Sequence, residues 1–437
     1  MDPLFIGYAC VFALFLCLAL GVPVGVALGL TGVGGMYFGL SEAFAFGQIR
    51  TLPFSVAHNY GFAVLPLFVL MGIVAQRSGM TEKLFQATDL WLRSVKGGMY
   101  QVVIVGSAIF AAISGSTVVN SLVFTRIAFP EMLKAGYSRS LSIGAIAASG
   151  GFAAMIPPSI TMVIYGIMTE QSIGRLFIAG MIPGLLSALS YMVVIAVLVR
   201  VKPDLSPKIR SLPPLSQKLR SLVWVWPFAL IFVVVIGGLY SGMFPPSGAG
   251  AVGAAAALAV AFVYRKGKLT GWFSESLRDA AAISCVLFVI LIGGMFFSRM
   301  LIVLGVIPNM IGLINQFDLS QTQFLIWIAL VMILLGCVLD TTSMLVVTLP
   351  FLYPIAQQAD VNPIWFGIFI VKLIEISVIT PPVGLNLFAV MSAVDKDTNF
   401  GHIVRGVLPF LCIDVVLLIM LIAVPGVVTW LPDQMLR

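Results

Sequence analysis

The chain has 437 residues, of which 60% are hydrophobic and only 9% charged, with a mean hydropathy of +1.10. A soluble domain carries about 25% charged residues, so this sequence cannot cover a water-facing surface, and lipid is its solvent. Its net charge of +7 lies in short loops between apolar runs, the pattern that orients a membrane protein, and no nucleic-acid partner is expected.

In chain order, apolar runs occupy about 4–38, 53–76, 140–168, 176–200, 222–241, 247–264, 280–306, 364–393 and 407–430. Each is near or above the ~20 residues a helix needs to cross hydrocarbon. The first lacks a basic leader and reads as a retained span, not a cleaved signal peptide. Two further runs, 101–130 and 324–354, are interrupted by small and polar residues, Ile113 to Asn120 and Gly336 to Ser343. Such a break at membrane depth predicts two half-helices meeting at a tip.

Loop charges agree. The segment 202–220 holds Lys202, Lys208, Arg210, Lys218 and Arg220 against Asp204, and Arg265, Lys266 and Lys268 follow two spans later. Both loops are placed in the cytoplasm. Arg77, Lys83, Arg93 and Lys96 precede the first interrupted run, and Lys134 and Arg139 follow it, so that run enters and leaves on the cytoplasmic side. Loops 305–321 and 355–363 contain no Lys or Arg, so 324–354 enters and leaves on the opposite side. Lys396 and Arg405 then return to the cytoplasm.

Two hairpins opening to opposite faces predict an inverted repeat. Sliding the chain along itself without gaps until Thr117 falls on Thr341 also lays Val123, Pro130, Pro157 and Pro158 on Val347, Pro354, Pro381 and Pro382, and Ser116 on Asp340. The expected fold is an all-α polytopic membrane protein with two re-entrant helical hairpins and two broken transmembrane helices. Residues 1–52 supply scaffold helices, 53–200 the first repeat, 201–221 a basic linker, 222–264 a scaffold pair and 265–437 the second repeat.

Enzymatic groups are not evident. Cys10, Cys17, Cys285, Cys337 and Cys412 lie in or beside apolar stretches with no CxxC pair. His58 and His402 read as packing or loop residues, and there is no HExxH, GxSxG or Walker A pattern. The chemistry gathers instead in Ser114–Asn120, Ser149–Ser159, Gly336–Ser343 and Thr380–Asn386. Proline frees a carbonyl one turn back and glycine lets the helix unwind. Exposed carbonyls with Ser, Thr, Asn and Asp oxygens form a hard cage for a small cation, while helix N-termini at the same break favour an anion. Lys372 and Glu375, three apart on one helix, are expected to neutralise each other.

Several segments together resemble one family, the large membrane subunit of the tripartite ATP-independent periplasmic (TRAP) transporters, DctM type. They are Ser114-Gly-Ser-Thr117, Phe129-Pro-Glu-Met132 with Gly136-Tyr137, Ile156-Pro-Pro-Ser159, Thr169-Glu-Gln-Ser-Ile-Gly174, Lys372-Leu-Ile-Glu-Ile376 and Thr380-Pro-Pro-Val-Gly-Leu-Asn-Leu-Phe388. The resemblance spans nearly the whole chain; Ser377 stands where glycine is expected. It implies sodium-driven, elevator-type import of an organic anion across the bacterial inner membrane. It also implies two partners, a small four-helix membrane subunit, expected as a separate polypeptide, and a periplasmic substrate-binding protein.

Sodium is the expected co-transported ion. One site is expected to use Ser114, Ser116 and Asn120 with carbonyls near Gly150, Ala153 and Pro157. The other is expected to use Gly336, Asp340 and Thr341 with Thr380 and Val383. Substrate candidates are Thr117, Arg126, Ser159, Thr342 and Asn386; for Arg126, snorkelling to the interface is the competing reading. The rival function is a stand-alone anion or ion antiporter of related architecture, needing no binding protein.

Overall fold

The structure is a computed structural model and describes residues 2–207, 213–265, 271–317 and 320–434. Lys208, Arg210, Lys266 and Lys268 lie outside the described residues, as does part of the 305–321 loop. Among the described residues the chain is helical, with no strand. Six helical segments are long and apolar enough to cross a membrane, or seven if the bent pair Leu215–Trp224 and Trp226–Tyr240 counts as one span.

The apolar run over 4–38 forms two helices, α1 (Pro3–Ala19) and α2 (Val24–Gly39). Gly21 between them is left-handed at φ +80 and Pro23 occupies the N-cap of α2, so the helix cannot run through. The run over 53–76 starts inside α3 (Glu42–His58) and breaks at Asn59, whose side chain accepts from the Gly61 N–H at 2.9 Å. Here α4 (Val64–Arg77), with the turn before it, makes the spanning unit. The amphipathic α5 (Met80–Leu92) follows, burying Met80, Leu84 and Phe85.

The first hairpin is α6 (Gly98–Ser114) and α7 (Thr117–Lys134). Gly115 turns the chain at φ +60, and Ser116 caps α7 by accepting from the Val119 N–H at 3.5 Å. The first broken helix is α8 (Arg139–Gly150), α9 (Phe152–Met155) and α10 (Ile160–Met168), interrupted at Pro157-Pro158. After it comes α11 (Ile173–Val201), whose Leu185, Leu189, Val193 and Val197 form an exposed apolar stripe while Ser187, Tyr191 and Ile195 face inward. Exposed leucine and valine at every fourth position is the face a helix offers to lipid.

Four elements, α12 (Leu215–Ser221), α13 (Trp226–Phe232), α14 (Gly238–Tyr240) and α15 (Pro246–Tyr264), lead into the long α16 (Trp272–Val303) and α17 (Val306–Gln316). The second hairpin is α18 (Gln321–Gly336) and α19 (Thr341–Gln358), and the second broken helix is α20 (Pro363–Ser377) and α21 (Leu385–Met391), interrupted at Pro381-Pro382. The chain closes with α22 (Phe400–Ala423) and α23 (Gly426–Asp433). Element starts recur along the chain. The offset that carries the start of α7 at Thr117 onto that of α19 at Thr341 also carries Arg139 of α8 onto Pro363 of α20. Nearly the same offset relates the starts of α2 and α15, α6 and α18, and α10 and α21.

The broken helix is held by close packing. A Cβ on Gly144 of α8 would lie 2.0 Å from the Gly406 backbone of α22, so these two helices meet backbone to backbone, as small residues permit in membranes. At the start of α8, Arg139 bonds Asp395 at 2.5 Å and Thr398 at 2.6 Å in the loop after α21.

Candidate ion and substrate site

Both hairpin tips open onto one cavity of about 160 Å³. Ser114 to Val119 line it from the first tip and Asp340 to Thr342 from the second. Ile160 and Thr161 begin α10 just after the first Pro-Pro break, and Leu385 begins α21 just after the second; side chains of α4 and α16 close the apolar side. Thus the N-terminal ends of α7, α10 and α19 converge on one space. Ser116, Ser159 and Asp340 each cap part of these first turns; the helix dipoles and the first-turn N–H groups left over favour negative charge in the space, most at α7 and α10, whose caps are uncharged.

Each tip abuts its own broken helix. A Cβ on Gly115 would lie 3.1 Å from the Pro158 carbonyl oxygen, and the Cys337 thiol lies 3.9 Å from the Pro381 carbonyl oxygen, to which it donates. Gly336 carries Ser377 directly against it. The hydroxyl of Ser377, where the family resemblance calls for glycine, donates to the Ile374 carbonyl at 2.9 Å, so its polarity is absorbed locally.

The first half holds a set of buried oxygens without partners among the described residues: Ser107, Ser114, Ser121 and Ser149 hydroxyls and Asn120 Oδ1. Asn120 donates its amide to the Ser107 carbonyl at 3.1 Å, which leaves Oδ1 free. Ser121 Oγ is 1.8 Å from where a Cβ on Gly150 would stand, so α7 and α8 touch there only because residue 150 is glycine. A buried unpaired polar group costs about 1–3 kcal/mol. Several of them on α6, α7 and α8, beside the buried break at Gly150, Ala153 and Pro157, offer neutral oxygen lone pairs of the kind a small cation takes.

The second half differs. Asp340 turns back on its own helix, accepting from the Thr342 N–H at 3.0 Å, the Ser343 N–H at 3.4 Å and the Ser343 hydroxyl. Thr380 donates to the Ile376 carbonyl at 2.7 Å, and Val383 is exposed. With Thr117 laid on Thr341, Asn120, Ser121 and Ser149 meet Met344, Leu345 and Leu373, so the polar set of the first half has no copy in the second.

Of the substrate candidates, Thr117 and Thr342 line the cavity. Ser159 caps α10, donating to the Ala154 carbonyl at 2.6 Å and accepting from the Met162 N–H at 3.3 Å. Asn386 is buried and donates to the Ala147 carbonyl at 3.4 Å, tying α21 to α8. Arg126 is exposed and outside the cavity wall.

Ser107, Ser121 and Ser149 were not among the sequence candidates, although Ser121 and Ser149 directly flank two that were. Asp414 was missed as well. Lys372 and Glu375 pair at 3.0 Å as expected, but Lys372 also bonds Asp414 of α22 at 2.7 Å and Ser187 of α11 at 3.0 Å. Mutual neutralisation of the first two is therefore incomplete. An acid in the middle of the 407–430 run was the available signal.

Long apolar helices around two hairpin tips and two broken helices, with a cavity between them that both tips line, define a multi-pass membrane transporter. A family model described as "Tripartite ATP-independent periplasmic transporter, DctM component" matches residues 11–427, and the chain belongs to that family. It is 33% identical over 386 residues to the C4-dicarboxylate TRAP transporter large permease protein DctM of Pseudomonas aeruginosa, covering 87% of this chain and 88% of that one. It is 30% identical to the protein of the same name in Vibrio cholerae, covering 95% of each. A sialic acid TRAP transporter permease protein, SiaT of Haemophilus influenzae, is 27% identical over 98% of this chain and 68% of its own length. In fold, the chain is similar to the YdaH transporter of Alcanivorax borkumensis, with a TM-score of 0.60 at 14% identity over 99% of this chain and 100% of that one.

Proposed function

We propose that the protein is the large permease of a sodium-coupled importer of a small organic anion in the bacterial inner membrane. The observation that carries the reading is the single cavity shared by both hairpin tips and faced by helix N-termini on either side. An anion there gains from the dipoles of α7, α10 and α19, and Thr117 and Thr342 offer it hydroxyls. Cations bound behind each tip would steady the tip and offset the anion's charge, which couples the two. The first cation site uses Ser114, Ser116 and Asn120 with the break at Gly150, Ala153 and Pro157; the second uses Gly336, Asp340 and Thr341 with Thr380 and Val383.

Relatives named for C4-dicarboxylates, isethionate, sialic acid and 2,3-diketo-L-gulonate support an anionic substrate. The recurrence of element starts at one offset supports an inverted repeat in which two equivalent halves exchange access by an elevator-type movement. A periplasmic binding protein and a small membrane subunit complete the system. The test is uptake in proteoliposomes. Uptake needs an inward sodium gradient, the small subunit and the loaded binding protein together; sodium-driven uptake of free substrate by this chain alone would overturn the reading in favour of a stand-alone transporter.

A further inference from the structure

Away from the cavity, the apolar core contains one cluster of charges among the described residues. Lys372 and Glu375 on α20 and Asp414 on α22 are all 1% exposed or less. Tyr191 of α11 donates to Asp414 Oδ2 at 2.5 Å, and Ser187 of α11 joins Lys372. From the α8–α9 side the Gly151 backbone approaches: a Cβ there would lie 2.9 Å from Glu375 Cγ. On α10, Tyr165 is engaged with the Pro363 carbonyl at the far end of α20. No charged side chain of α18, α19 or α23 is paired with the cluster among the described residues.

The charges do not balance. Two carboxylates face one ammonium, and an unpaired anion in the membrane interior is strongly disfavoured. The two acids are also unequally served. Asp414 receives a donor on each oxygen, Lys372 on Oδ1 and Tyr191 on Oδ2. Among the described residues, Glu375 receives Lys372 on Oε2 alone, and its buried Oε1 has no partner.

We propose that the cluster is a proton-binding site, with the proton on Glu375 Oε1, Asp414 and Lys372 forming the ion pair and Glu375 neutral. The proton adds to the free carboxylate oxygen without any other bond changing, and the cluster becomes electrically balanced. Because Glu375 packs against Gly151, the junction of α8 and α9 ahead of the Pro157-Pro158 break, losing the proton places a negative charge beside that junction. This inference concerns the charge state of the core and stands whether or not transport is sodium-coupled.

Glu375→Gln is the isosteric copy of the protonated acid, whereas Asp414→Asn removes the paired anion. The full chain is purified in detergent and melted beside both variants. Glu375→Gln is expected to melt within about 2 °C of the wild type and Asp414→Asn clearly lower. Infrared spectroscopy of the wild type at neutral pH is expected to show the C=O stretch of a buried carboxylic acid, shifted in D2O and absent from Glu375→Gln. A Glu375→Gln protein that fails to fold or melts as low as Asp414→Asn would overturn the proposal, since an ionised Glu375 would then be holding the pair. So would an infrared band that persists unchanged in Glu375→Gln, or no such band in the wild type.

Discussion

At the scale of single residues, the two tips do different work. Asp340 carries a charge at the cavity but uses both oxygens to cap α19. Asn is as good a cap as Asp, so Asp340→Asn is expected to keep the fold and lose the charge. Its melting temperature should stay near the wild type while the sodium concentration for half-maximal uptake rises; an unchanged sodium curve would return the carboxylate to a purely structural role. Gly150 is the opposite case, a residue whose absence of side chain matters. Gly150→Ala would drive a methyl into Ser121 Oγ, 1.8 Å away, and overpacking of this kind costs about 1–3 kcal/mol. A lowered melting temperature with lost sodium-dependent uptake is expected, and a protein of normal stability and normal uptake would count against close α7–α8 packing.

At the scale of elements, the helical hairpins and the loop contacts make separate predictions. If α18 and α19 enter and leave on one side, single cysteines at Ser320 and Gln357 in a cysteine-free background label with an impermeant thiol reagent from the periplasm, and one at Lys134 does not. Labelling of 320 and 357 from opposite sides would show a full crossing. In the loop after α21, the Thr398 hydroxyl bond, aided by Arg139, holds the Asp395 carboxyl below its usual range. A lowered folded-state pKa means stability present above the unfolded value of about 4 and lost as pH falls through the lower one. The group is substantially exposed, so the effect is small: Thr398→Ala is expected to lower stability slightly on the neutral plateau and to leave it unchanged at acid pH, so that the variant and wild-type profiles converge as pH falls.

At the scale of the whole molecule, the cavity joins the two halves of the chain. Residues 114–119 belong to the first half and 340–342 to the second, yet they line one wall, so occupancy at one tip changes the environment of the other. Substrate and sodium should therefore raise each other's affinity by the same factor. Calorimetry on the purified permease complex checks this, with equal factors expected in the two orders of addition. The same joining explains why elements related by one offset can share length and position and yet differ chemically. Ser121 and Ser149 of the first half correspond to Leu345 and Leu373 of the second, so these buried serine hydroxyls have no counterpart there.

The membrane setting, the two polar tips and the two Pro-Pro breaks were legible in the sequence because each is a local departure from an apolar run, written in consecutive residues. Proline lacks a donor and glycine tolerates φ above zero wherever they stand, so Gly115 and the Pro157 and Pro381 breaks could be placed without a fold. The turn at Gly21 and the break at Asn59 were overlooked because hydropathy alone runs straight through them. What only the tertiary structure decided is which oxygens are already spent. Asp340, Ser159 and Thr380 bond to backbone groups within five residues of themselves, whereas the Ser107, Ser121 and Ser149 hydroxyls have no hydrogen-bond partner among the described residues. Likewise Lys372 and Glu375 declare themselves as an i,i+3 pair, but their imbalance depends on Asp414, brought from another helix. Hydrogen-bond satisfaction and net charge in a buried cluster are properties of the neighbours, and the order of residues along the chain does not say who those neighbours are.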